Sequence, residues 1–438
     1  MNCKDAKTIP LWLAVLININ VVIGGAFFIN APKINSFAGV ISPILWLVFA
    51  VFFVPIAIVF ARLASKFPCA GGIYVYSREA LGRFPGFLTG WAYFIGSATG
   101  NAVLIDALSA QLLSVKTISN FFDFFGLEKL GLSLLMVLFC TVFSIGGVEI
   151  LRTAQMAFSW LKLIPFLVLG LACYFSGTIE NLNNIPINKS WFSDCLPIII
   201  FAYIGIETCC AMAHVIKDGF KNVAKATHYS LLLTAIFYSI AQFGLLFALG
   251  KDSFSPNCFN KLALILGNKI SFLSPELLST FVFLAIATSY LDGAYTVFCS
   301  NNWNIYAMSQ DLKGPGKILF SNLNVFREPT NCILLQGSLM AAFLAISKNQ
   351  IWMIQVSVIA VVLAFLMTTI SYLVLFERKK IIVSGLASLA SVLTITYFST
   401  KELAEGGLAS LLPLAIILFS GLVIYIFDSF FSTQSKKL

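Results

Sequence analysis

Apolar residues run in long blocks along this chain, and the polar residues collect between them. A helix needs about 20 mostly apolar residues to cross a bilayer. Twelve blocks meet that need: 10–31, 40–62, 84–112, 131–148, 156–176, 193–213, 229–249, 277–298, 331–347, 350–376, 382–399 and 408–428. The pattern predicts an all-α membrane protein with twelve transmembrane helices. Two blocks are interrupted. "NVVIGGAFFINAP", 20–32, carries two glycines and an alanine near its middle, and "FAYIGIETCC", 201–210, sets Gly205 beside the acidic Glu207. Glycine costs about 1 kcal/mol in a helix interior relative to alanine. A break in lipid survives only where it is buried in protein or lines a cavity.

Orientation follows from the basic residues. With the N-terminus inside, the cytoplasmic segments hold 18 of the 28 Lys and Arg and the outer segments 9, while Lys162 falls within helix 5. That excess puts both termini in the cytoplasm. Helix 1 then runs outward and helix 6 inward. Two interrupted helices of opposite direction, five spans apart, are what an inverted five-helix repeat produces, and such pairs point to a transporter's substrate site. Glycines at these places also serve close helix packing, which is the plainer reading of each one alone.

Composition narrows the class. Only 11% of residues are charged and 59% are hydrophobic, far from a soluble domain of this length. The net charge of +9 is spread thinly between apolar runs, which argues for membrane topology and against nucleic acid. Ten scattered cysteines (3, 69, 140, 173, 195, 209, 210, 258, 299 and 332) form no CxxC pair and read as small buried hydrophobes, with no metal implied. Lys4 and Lys7 precede the first run as in a signal peptide, but no small-x-small cleavage site follows, so that run is read as a retained helix. Within the cytoplasmic stretch 299–330, "QDLKGPGKILFSNLNVFREP", 310–329, reads as a surface loop turning at Gly314 and Pro315. His214 and His228 fall after helix 6 and are expected to be solvated. No Walker motif, nucleophile elbow or HExxH is present, so neither an enzyme nor a cofactor is expected.

"PCAGGIYVYSREALGRFPGFLTGW", 68–91, resembles the loop between helices 2 and 3 of the amino acid, polyamine and organocation transporter superfamily. "VIGGAFFINAP" and "FAYIGIET" are similar to that family's breaks in helices 1 and 6, and "LKLIPFLVLG" from Leu161 resembles its helix 5. The resemblance implies a five-plus-five inverted repeat followed by two helices: here 10–176, 193–376 and 382–428 within one domain, 1–438. It is nearest to the bacterial arginine/agmatine antiporters and the related basic amino acid and polyamine exchangers. It implies a multi-pass protein of the cell inner membrane and, as in those antiporters, a homodimer.

In that register Tyr93, Gly96, Ser97, Asn101 and Leu104 of helix 3 are implied substrate-binding residues, with Phe201 and Ile204 of helix 6. Ser357 and Phe365 of helix 10 join them, as does Tyr295 of helix 8, where the alignment leaves the family's stacking Trp open. The family's G-S-G in helix 1 reads Gly24, Gly25, Ala26 here, so a hydroxyl is lost. An unwound helix ends in free amides and a partial positive charge that suit a carboxylate. The amides of 24–28 are therefore expected on the substrate carboxylate, and the carbonyls of Val22, Ile23 and 201–205 on its ammonium. The aromatic walls would stack on an aliphatic or cationic side chain.

Intramembrane acids default to a functional role, and the resemblance gives Glu207 that of proton sensitivity and coupling. Lys162, about two turns into helix 5, resembles the lysine that replaces sodium in related members and holds the helix 1 break; snorkelling to the inner interface is the alternative. Asp106 and Asp292 are weaker candidates, each expected near a helix end. The expected activity is a secondary exchanger of cationic amino acids, or of an amino acid for its amine. Proton-coupled uptake of neutral amino acids is the second reading, and a non-transporting membrane sensor the third. The expected partners are a small amino acid or polyamine and the lipid bilayer.

Overall fold

The computed structural model describes residues 9–126, 128–183, 185–269, 274–347, 350–376, 379–404 and 412–434. Cys3, Lys4 and Lys7 lie outside them. The chain is built from α1 (Leu11–Val22), α2 (Gly25–Ala38), α3 (Ser42–Lys66), α4 (Gly72–Leu81), α5 (Arg83–Leu113), α6 (Lys116–Phe124), α7 (Lys129–Ile145), α8 (Val148–Ser176) and α9 (Trp191–Tyr203). It continues with α10 (Thr208–Ala211), α11 (Gly219–Leu249), α12 (Cys258–Lys269), α13 (Pro275–Gln310), α14 (Pro315–Phe320), α15 (Thr330–Ile346), α16 (Gln350–Leu375), α17 (Lys379–Ala404) and α18 (Leu412–Gln434). No strand occurs among the described residues, only two isolated bridges, Ile9 with Ile216 and Ala70 with Met212.

Among the described residues six helical stretches are long and apolar enough to cross a membrane, or seven when α5 is counted with α6, which bends from it by 101°. Five further apolar helices are shorter, including Leu11–Val22, Lys129–Ile145 and Thr330–Ile346. This is the build of a multi-pass membrane protein. The outer faces agree: Trp160, Leu167 and Leu171 of α8 are more than half exposed, while Gln155, Ser159 and Lys162 on its opposite side are buried. Polar groups face the bundle and apolar groups face lipid, because an unpaired polar group in hydrocarbon is costly.

Both expected interruptions are real. The first apolar block divides into α1 and α2 at Ile23 and Gly24, and the sixth into α9 and α10 across Ile204–Glu207. The two broken helices pass side by side, α1 against α10 and α2 against α9, which brings the breaks together. Around them α5 packs along α13 and α16, α3 along α11, and α8 along α13.

Several boundaries differ from the sequence reading. Helix α13 continues to Gln310, twelve residues past the end of the apolar block at 298, and Pro315 starts a short helix inside the stretch 310–329 read as a loop. A proline at the first helical position loses no intrahelical bond, which is why the Gly-Pro pair opens α14. Asp428 of α18 accepts the Lys313 amide at 2.9 Å and the Gly314 amide at 2.7 Å, pinning that corner. The 68–91 stretch also holds a helix, α4, whose Tyr74 and Arg78 both donate to Asp311.

His214 is not solvated. Its ring stands against Trp303 at 4.2 Å, neither ring nitrogen has a partner among the described residues, and burial lowers its pKa to about 4. His228 lies on α11, exposed as expected. The nine cysteines within the described residues are free thiols, most of them buried.

Candidate functional site

The helix 1 break leaves the first amides of α2 without intrahelical acceptors. Gly24, Gly25 and Ala26 present that end to a cavity of about 70 Å³. The helix 6 break forms the facing wall with Phe201, Ile204, Gly205, Glu207 and Thr208. α5 contributes Tyr93, Ser97, Gly100, Asn101 and Leu104, and α16 contributes Ser357 and Val361.

Each break is held by partners from elsewhere in the bundle. The Lys162 ammonium donates to Asn20 O at 3.1 Å, Ile23 O at 3.2 Å and Asp292 Oδ2 at 2.8 Å. Both members of the ion pair are fully buried. The other Asp292 oxygen accepts from Gln155 Nε2 at 2.9 Å, and Gln155 in turn accepts from Asn20 Nδ2 at 2.9 Å. Tyr238 donates its hydroxyl to Val22 O. The carbonyls of Asn20, Val22 and Ile23 at the break thus receive donors from α8 and α11, in place of the helical amides they lack.

Helix 6 closes largely on itself. Glu207 accepts the Gly205 amide at 2.9 Å on one carboxylate oxygen and the Tyr93 hydroxyl at 3.0 Å on the other. Gly205 sits at φ +117°, a conformation that side-chain-bearing residues rarely adopt, and a Cβ there would lie 2.4 Å from a Val21 methyl. Asn18 of α1 completes the turn, donating to Ile206 O at 2.8 Å and accepting the Cys209 amide at 3.1 Å.

Of the residues expected to bind substrate, Gly24, Gly25, Ala26, Tyr93, Ser97, Asn101, Leu104, Phe201, Ile204 and Ser357 line the cavity, with Glu207. Four do not. Ile23 turns inward, its carbonyl taken by Lys162. Gly96 serves packing: a Cβ there would meet Val361, Ala360 and Ser357 O at about 3 Å, so it lets α16 approach α5. Tyr295 points away, edge-on to Phe158 with its hydroxyl 3.5 Å from Phe143 O. Phe365 packs edge-on against Phe60, and Val361 one turn earlier takes the wall.

The expected ammonium-binding carbonyls, Val22 and Ile23, already accept from Tyr238 and Lys162. Lys162 does not snorkel: it lies fourteen residues into α8, about 21 Å along the axis, rather than two turns from its start. Asp292 is in the middle of α13 rather than at an end, whereas Asp106 pairs with Lys129 at 2.7 Å at the rim of the bundle.

Residues that the sequence reading passed over hold the site together: Asn18, Asn20, Gln155, Tyr238 and Tyr290. Their signal was periodic. Gln155, Ser159 and Lys162 share one helical face, as do Tyr238 and Gln242, polar stripes within apolar runs. Tyr290 also explains the missing serine of helix 1, because a Cβ at Gly25 would stand 1.9 Å from its ring. Asn101 has no partner for its amide nitrogen among the described residues and stands at the cavity wall, a donor available to a ligand oxygen.

The sequence model of amino acid permeases matches residues 9–437. The chain belongs to the amino acid permease family. This permease is 25% identical over 383 residues to the serine/threonine exchanger SteT of Bacillus subtilis, across 85% of this chain and 84% of that protein. It is 25% identical over 299 residues to an uncharacterised transporter of Legionella pneumophila, across 65% of this chain and 62% of that protein. It is 27% identical over 249 residues to the putrescine transporter PotE of Escherichia coli, across 54% of each. The matched stretch thus spans less than two thirds of the latter two relatives.

Proposed function

We propose that this permease carries small neutral α-amino acids across the membrane by alternating access, exchanging one for another without sodium. The observation that carries the reading is the state of Glu207. It is the one acid among the described residues lining the cavity, and its two oxygens accept the Tyr93 hydroxyl and the Gly205 amide, which ties the carboxylate to the helix 6 break and α5 rather than leaving it to reach freely into the cavity. The size agrees. A cavity of about 70 Å³ is small, in keeping with a small amino acid. The substrate carboxylate would meet the α2 amides, its ammonium the carbonyls of the helix 6 break, and a hydroxyl the Asn101 amide. The likeness to a serine/threonine exchanger supports the neutral side chain over the cationic one first expected.

The architecture that goes with this reading is twelve spans, an inverted repeat of 10–176 and 193–376, then 382–428, with both termini cytoplasmic. Its support is the side-by-side passage of the two broken helices and the distribution of Lys and Arg. A second reading, proton-driven uptake, draws on the buried Lys162–Asp292 pair, which ties a titratable group to the helix 1 break. In either case the ammonium stands where a bound cation would bridge the break to α8.

Proteoliposomes test both. Labelled serine or alanine is expected to enter vesicles preloaded with either amino acid, to ignore a sodium gradient, and to be displaced by small neutral amino acids but not by arginine, agmatine or putrescine. Displacement by putrescine as strong as by serine would overturn the substrate class. Uptake into empty vesicles driven by a pH gradient would replace exchange by the second reading.

A further inference from the structure

A second and larger void lies on the other side of α2. It measures about 400 Å³ and is walled by α2, α8, α11 and α12, within the size range of ligand sites, roughly 300 to 1,000 Å³. None of its eighteen lining residues carries a charge, and only Cys173 and Tyr174 bear a side-chain heteroatom. Its floor is aromatic: Phe28 stacks on Phe166 at 5.3 Å and meets Phe259 edge-on at 4.9 Å, both rings belonging to the lining. Its mouth opens between α8 and α11, where Leu167, Leu171, Tyr174 and Ile240 are each half or more exposed on the faces turned to lipid.

We propose that this crevice is a binding site for an acyl chain of a membrane phospholipid, and that the chain braces the α2 half of helix 1. Three observations select that occupant. Water needs two to four polar partners to reside in a cavity, and this lining supplies almost none. A void of this size in a packed interior forfeits dispersion contacts along its whole wall, and the fluid at its mouth is hydrocarbon. Gly170 and Gly244 hold the entrance open: a Cβ at Gly170 meets nothing within 4 Å, and one at Gly244 touches only Cys173 at 3.5 Å. At the end of α8, next to Tyr174, the exposed Lys269 donates to Ser176 O at 2.8 Å and sets a cation at the rim, suited to a lipid phosphate.

The site also bears on transport. Phe27 and Phe28 line the crevice while Gly25 and Ala26, in the same turn of α2, line the substrate cavity. Phe27 further stacks on Tyr238 at 5.2 Å, the residue that holds Val22 O. A filled crevice therefore backs the helix end that faces the substrate.

The test is photolabelling of the full-length protein in vesicles of phosphatidylethanolamine and phosphatidylglycerol, with a trace of phosphatidylglycerol carrying a diazirine near the end of one acyl chain. Peptide mass spectrometry is expected to find the label concentrated on 166–174 and 237–247, above the other lipid-facing helices. Gly170→Leu and, independently, Gly244→Leu fill the entrance and are expected to lower that label to the level of the remaining surface while leaving the protein monodisperse. Label spread evenly over the apolar surface, or undiminished in both variants, overturns the proposal. Because the readout is covalent labelling, it stands whether or not serine proves to be the substrate.

Discussion

The two broken helices solve the same problem differently. In helix 1 the loose carbonyls of α1 are taken by side chains from α8 and α11, Lys162 and Tyr238. In helix 6 the turn folds back on its own Glu207, with Asn18 of α1 and Tyr93 of α5 as clamps from outside. The difference leaves helix 1 with its donor end, the α2 amides, facing the cavity, while helix 6 spends its acid internally. The carboxylate of a zwitterion needs the first.

The comparison breaks most sharply at the ion pair. Lys162→Met leaves Asp292 buried and uncompensated, which costs about 3 to 5 kcal/mol. The double variant Lys162→Met/Asp292→Asn is expected to recover part of that loss in a thermal-unfolding assay of purified protein. A double variant no more stable than the single would show that the pair does not act as a unit. Glu207→Ala strips acceptors from the Tyr93 hydroxyl and the Gly205 amide, at about 1 to 3 kcal/mol, and is expected to flatten the pH profile of transport; an unchanged profile would remove the acid from coupling. Gly25→Ser restores the hydroxyl expected from the family pattern but drives it into the Tyr290 ring. Overpacking of this kind costs about 1 to 3 kcal/mol, so lower stability without tighter serine binding is the expected result in a thermal-shift titration.

The smallest effect is expected away from both breaks. Glu328, buried in the segment between α14 and α15, has its pKa raised from 4.5 to about 8 by loss of solvation. The folded state then holds the proton more tightly than the unfolded one, so this group's contribution is fully present below about pH 4.5 and is lost as pH rises through 8. Glu328→Gln is expected to flatten the fall in melting temperature over that window while leaving serine exchange at neutral pH unchanged. A loss of exchange would mean that the coupling acid is not confined to the helix 6 break.

Much of this site was legible because its backbone signal is loud. Glycines in the middle of an apolar run, at Gly24, Gly25 and Gly205, have few explanations in a membrane, and both breaks fell where the sequence put them. Register along α5 likewise carried Tyr93, Ser97, Asn101 and Leu104 to one wall, since residues three and four apart share a face. The reading failed where orientation depended on a neighbour. Phe365 and Tyr295 are aromatic at the expected spacing, yet Phe60 and Phe158 claim them. Asp292 looked peripheral because the extent of α13 past residue 298 was unseen.

The sequence alone determined that the chain is helical and crosses a membrane, that two helices are broken, and that an acid and a lysine lie within apolar runs. Those follow from transfer free energy and backbone hydrogen bonding, which act locally along the chain. Only the tertiary structure decided that Lys162 meets Asp292, that Glu207 is already satisfied, and that Tyr290 excludes a side chain at Gly25. Each depends on contacts between residues more than a hundred positions apart, except the closure of Glu207 on Gly205, and even there Tyr93 supplies the second bond. The charge available to a substrate is what remains after those distant partners have been served.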